Sequence, residues 1–237
     1  MDETYADRSL SLSHRAIALT GLLVSADGHR DLKEKYYASI AQVVGRVPNV
    51  VPAISEIHAA RLLPGADDDA RITFLNCIVD LILDRQLSIY RVGYFQSKKM
   101  MDTFGSERSI VGLCFFSMLQ MLETALSECA IWPVMEADHS KEQDQAFAGQ
   151  VQFADHLASH IGAAALSRDQ MNLGEVLYST KRSIYGAMVD CVAYLLNVKW
   201  VADQGLALSP YKRRLLKVAE RLSPTVMHDE IIRMKFE

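Results

Sequence analysis

Hydrophobic and polar positions follow two rhythms along the chain. RAIALTGLLV (15–24) and LSIYRVGYF (87–95) are short apolar or alternating runs of β character. The first is followed by the turn residues Asp27-Gly28. Such runs predict strands. VVPAISEIHA (50–59) reads as a third strand, with Pro52 confining it to an edge or an early ladder position. AIWPVME (130–136) and VLYST (176–180) add two short strand-like segments. Between them the period changes to that of a helix. A polar helix is predicted from about Asp31 to Val44, stopped by Gly45. Ile72, Leu75, Val79 and Ile82 share one helical face behind the triplet Asp67, Asp68 and Asp69. Further helices are predicted over 108–128, 143–166 and around Asp190. Ser209-Pro210 opens the last one, with Ser at the N-cap and Pro at the first helical position.

Alternating strands and helices predict an α/β domain. No repeat or low-complexity tract interrupts it, and the loop-like stretch 61–70 marks no boundary. The expected organisation is one α/β domain over 1–205, with a basic helix and tail over 206–237 packed on it.

Composition narrows the classes. The chain has 237 residues, is 50% hydrophobic and carries a formal net charge of −4, enough apolar material for a full core. Without a strong basic excess, any nucleic-acid contact must come from a local patch. Cys77, Cys114, Cys129 and Cys191 are scattered through apolar segments with no CxxC spacing, as expected of reduced core thiols in a cytoplasmic protein. MDETYADRSLS carries acids and no apolar stretch, so no secretory leader is expected. SIVGLCFFSMLQMLETAL is broken by Gln120 and Glu123, so a buried helix is expected there rather than a membrane span.

Acidic residues carry the candidate chemistry. In SIYGAMVDCVAYLLNV (183–198), Asp190 is the sole charged side chain. A buried carboxylate must keep contact with water, take up a proton or find a cation. Asp2, Glu56, Glu136 and Asp138 stand at or near strand ends. Acids gathered at one sheet edge can share Mg²⁺ or Mn²⁺, and such ions support in-line displacement at phosphorus. Acids at strand ends also commonly just face water, and spacing alone leaves both readings open. The triplet Asp67–Asp69 is better explained by helix capping than by ligation.

Other groups are weaker candidates. His156 and His160 form an i, i+4 pair, but HExxH is absent and no third ligand lies nearby, so a structural role is favoured. His58 is two residues beyond Glu56. The last helix carries Lys212, Arg213, Arg214, Lys217 and Arg221 against Glu220. Its cations suit a phosphate backbone, with Lys98-Lys99 as a supplement, while its leucines suit docking on the sheet. GxxxxGK[ST], GxGxxG and GxSxG are all absent.

Three stretches carry a resemblance. Asp2-Glu3-Thr4, Glu56-Ile57-His58, and Ser179-Thr180-Lys181 followed by Asp190 resemble, in their order along the chain, the short motifs of the domain of unknown function 3800 family. The likeness spans roughly residues 1–200. It implies a ribonuclease H-like mixed sheet flanked by helices and a metal-dependent nuclease activity. Asp2 stands at the second position, so the first strand is expected to be short or missing. Relatives often carry an acid at the end of the fourth strand, where this chain reads GYFQSKK.

The combined expectation is a divalent-metal nuclease in which Asp2, Glu56, Asp190 and Asp138 are catalytic. Glu136 joins those four as a ligand of Mg²⁺ or Mn²⁺. Lys181, Lys212, Arg213, Arg214 and Lys217 would contact nucleic acid. The alternative is a non-catalytic module of the same fold that binds nucleic acid or a protein partner, with a homodimer also in view.

Overall fold

The computed structural model describes residues 2–4, 15–25, 28–44, 66–105, 107–125, 134–136, 177–179 and 184–234. The architecture is α/β. In chain order the elements are β1 (Asp2–Thr4), β2 (Ala16–Leu23), α1 (His29–Val44), α2 (Asp68–Asp84), β3 (Ser88–Phe95), α3 (Lys98–Phe104) and α4 (Glu107–Ala125). There follow β4 (Val134–Glu136), β5 (Leu177–Ser179), α5 (Ile184–Asp203), α6 (Pro210–Glu220) and β6 (Val226–Ile232).

One sheet has the order β1-β2-β3-β6, and a second, two-stranded sheet pairs β4 with β5. β1, β2 and β3 are antiparallel, whereas β6 runs parallel to β3. A parallel neighbour requires a crossover, and α3 to α6 lie within that connection. Register aligns Asp2, Thr20, Arg91 and Asp229 in one row across all four strands.

β3 is buried from Ile89 to Tyr94, because helices cover both faces of the sheet. Ile17, Leu19, Tyr90, Val92 and Tyr94 pack against Ile110, Cys114, Phe115 and Met118 of α4. Ile17 and Leu19 have no exposed surface, and each such burial contributes about 1.5–3 kcal/mol. The opposite face is closed by α5, whose Met188, Cys191, Val192 and Leu195 join Ile89, Phe74 and Ile78 of α2, and Leu215 and Val218 of α6. The sheet is pinched at Gly93. A Cβ there would meet Ala18 Cβ, Ile17 O and Ile231 Cδ1, each at 2.7 Å.

The helix starts obey the expected capping chemistry. Asp67 Oδ1 accepts from Ala70 N at 2.8 Å, and Ser209 Oγ accepts from Lys212 N at 3.2 Å. α3 was not expected. Ser97 caps it, and Gly105, at φ 73°, ends it in the left-handed region that glycine tolerates.

The C-terminal segment also differs from expectation. α6 forms as anticipated, but the tail beyond it becomes β6 and enters the central sheet beside β3. Its core reads His228-Asp229-Glu230, so the pattern lacks the apolar alternation that marks a strand. The strand anticipated over 50–59 and the helix over 143–166 lie outside the described residues. α5 has the length and apolarity of a membrane span, alone among the described residues, yet 72% of that window is buried inside the protein. It is a core helix.

Candidate metal site and basic helix

α5 explains how an apolar helix carries a carboxylate. It packs on β1 and β2 and is flanked by α2 and α6. Asp190, Tyr194 and Asn197, spaced i, i+4 and i+7, form a partly exposed stripe on a helix that is otherwise largely buried. The carboxylate therefore retains access to water. Burial pushes the Tyr194 phenol on that stripe up to about 12, with neighbouring Tyr211 adding in the same direction.

Of the expected ligands, Asp2 and Asp190 lie on elements that touch, since β1 packs against α5. Glu136 stands in the separate two-stranded sheet, in register with Ser179. Glu56 and Asp138 lie outside the described residues, as do Lys181, His58, His156 and His160. Among the described residues, no three His, Cys, Asp or Glu side chains are grouped to hold an ion. Asp2 and Asp190 fit a hard divalent cation in chemistry, as oxygen donors, but two residues leave most of its coordination to other groups.

One residue that sequence reasoning passed over occupies the middle of the row. Arg91 is 1% exposed, on the α5 side of β3. Its Nη1 donates to Leu196 O of α5 at 3.1 Å and to Asp229 Oδ1 at 3.5 Å. Burial pushes the guanidinium below its usual value, and the charge of Asp229 works in the opposite direction. Its Nε and the neighbouring Thr20 Oγ1 are both buried without a hydrogen-bond partner. The available signal was a lone arginine in the otherwise uncharged strand SIYRVGYF.

The basic helix is partly neutralised by α2. Arg214 pairs with Asp69, and Arg221 pairs with Asp80 and also donates to Asn76. Arg71 stands 3.7 Å from Asp68. The acidic triplet thus divides its work: Asp67 caps α2, while Asp68 and Asp69 meet arginines. Arg213 and Lys217 remain exposed on α6, and Lys212 is partly exposed. Leu215, Val218 and Ala219 form the buried face.

The cysteines Cys77, Cys114 and Cys191 are thiols rather than halves of disulfides. Burial pushes the Cys114 thiol up to about 12, so it is protonated and inert at neutral pH. No family model, curated protein or solved structure matches the chain.

Proposed function

We propose that the chain is a divalent-metal-dependent nuclease with a ribonuclease H-like fold, acting on phosphodiester bonds of nucleic acid. The observation that carries this reading is the packing of α5 on β1, which brings the elements bearing Asp190 and Asp2 together from opposite ends of the chain. A mixed sheet covered by helices on both faces is in keeping with it. Asp2 and Asp190 would hold Mg²⁺ or Mn²⁺, with Glu56, Glu136 and Asp138 as further ligands. The ion, when bound, supplies an acidified water and neutralises charge on the phosphate. Arg213, Lys217 and Lys212 on α6, with Lys181, contribute cations for the nucleic-acid backbone.

Asp190→Asn tests the proposal. The variant should keep the far-ultraviolet spectrum of the native chain and lose Mn²⁺-dependent cleavage of single-stranded DNA and RNA by at least a hundredfold. Equal cleavage by both proteins, or none by either, would overturn it.

The second reading is a non-catalytic module that binds nucleic acid or a protein partner. It draws support from the exposed Arg213 and Lys217 of α6, cations that can meet nucleic acid or an acidic partner without a metal site. Calorimetry separates the two: saturable Mn²⁺ heat that Asp190→Asn abolishes favours the nuclease, and its absence favours the module.

A further inference from the structure

β6 ends the sheet order, with β3 on one side and, among the described residues, no strand on the other. An open edge of seven residues offers unpaired backbone groups to another chain. Natural edges are often protected by charge, and His228, Asp229 and Glu230 have that appearance. Their order, however, matches a second copy of the same strand.

Like edges that join by a two-fold axis must pair antiparallel and keep corresponding faces on the same side. Centring that axis on Asp229 sets His228 opposite the copy's Glu230, within the regular part of the strand beyond the irregularity at Met227. The neighbouring even registers fail. One sets His228 against His228. The other sets Glu230 against Glu230 and His228 against Ile232.

Within one chain, His228 Nε2 already lies 3.3 Å from Glu230 Oε2, so histidine and glutamate would alternate around the seam. Met227, beside this stretch, is 57% exposed although apolar, and joining the two edges would remove part of that surface from water. Asp229 faces its own copy, but each carboxylate is backed by the buried Arg91 at 3.5 Å. The sheet then reads Arg91, Asp229, Asp229, Arg91 across the axis, with alternate charges offsetting the central pair.

We propose that β6 is a homodimerisation edge: two copies join their β6 strands antiparallel about Asp229, making one continuous sheet from two.

The test uses the full chain at about pH 5.5, where an imidazole is largely protonated, in analytical ultracentrifugation from low micromolar to several hundred micromolar. The native chain should show a reversible monomer–dimer equilibrium. The glutamate of His228→Glu faces Glu230 of its copy, and the lysine of Glu230→Lys faces His228. Opposite charges across a strand pair favour pairing and like charges oppose it. Each variant alone should therefore dissociate about tenfold more readily. An equimolar mixture of the two variants sets the introduced glutamate of one copy opposite the introduced lysine of the other and restores tight pairing. A substitution that merely damaged the fold would not be rescued by mixing. A native chain monomeric throughout, or variants that associate like the native chain, would overturn the proposal. So would a mixture no tighter than its components.

Discussion

Replacing Asp229 with Asn removes the negative charge facing the buried Arg91 guanidinium and leaves it neutral acceptors alone, the Leu196 carbonyl and the new amide oxygen. Removing one member of a buried ion pair costs roughly 3–5 kcal/mol, because the other charge stays desolvated. The Arg91–Asp229 contact is long at 3.5 Å and the Asp229 side chain is 28% exposed, so about 3 kcal/mol is expected. The converse change behaves differently. Arg91→Met keeps an apolar stem in the core and leaves Asp229 able to turn to water. It loses two hydrogen bonds, each worth about 1 kcal/mol, and the relief of burying a charge offsets most of that, so its net effect should stay within about 1 kcal/mol. Urea unfolding followed by circular dichroism measures both. With a slope of about 3 kcal/mol/M, Asp229→Asn lowers the midpoint by about 1 M, whereas Arg91→Met moves it by a third of that or less. The comparison is made in the His228→Glu background so that association does not contribute. Arg91→Met costing as much as Asp229→Asn would refute the reasoning, since the penalty would then arise from packing rather than from a stranded charge.

Two further outcomes follow from burial and close packing. The Cys114 thiol and the Tyr194 phenol are both raised to about 12, from ordinary values of 9.0 and 10.0. Between those values the unfolded chain sheds protons that the folded chain keeps, so stability falls as pH rises from 9 toward 12. Cys114→Val should flatten the part of that decline below pH 10, and unchanged urea midpoints from pH 9 to 10 in both proteins would contradict the assignment. At Gly93, alanine would place its Cβ 2.7 Å from a β2 carbonyl that cannot swing aside. Overpacking of this kind costs about 1–3 kcal/mol, visible as a lowered thermal midpoint. A Gly93→Ala protein as stable as the native chain would show that the sheet relaxes there at no cost.

How much was legible in the sequence varies by element. The apolar run of β2 and the alternation of β3 marked both strands to within a residue or two. Asp67 and Ser209-Pro210 marked the starts of α2 and α6, because capping needs one polar side chain at one place. α3 escaped because it has seven residues, too few for periodicity to declare itself. β6 escaped because charge fills its centre, and its strand character comes from pairing with β3 rather than from its own pattern. Asp190 stood out as the sole carboxylate of an apolar helix, but its partial exposure depends on how α5 lies against the sheet and its flanking helices.

Local chemistry, then, was enough to specify the α/β class, the capped helix starts and the strands with the strongest apolar patterns, since each depends on neighbours a few positions away. The partners of charged groups were decided by tertiary structure alone. The cations of α6 read as a free basic face until α2 brought Asp69 and Asp80 to Arg214 and Arg221. Arg91 acquired its significance when β6 returned from the far end of the chain to set Asp229 beside it. Coulombic and hydrogen-bond energies depend on distance and burial, and a linear pattern of residues contains neither for groups more than a hundred positions apart.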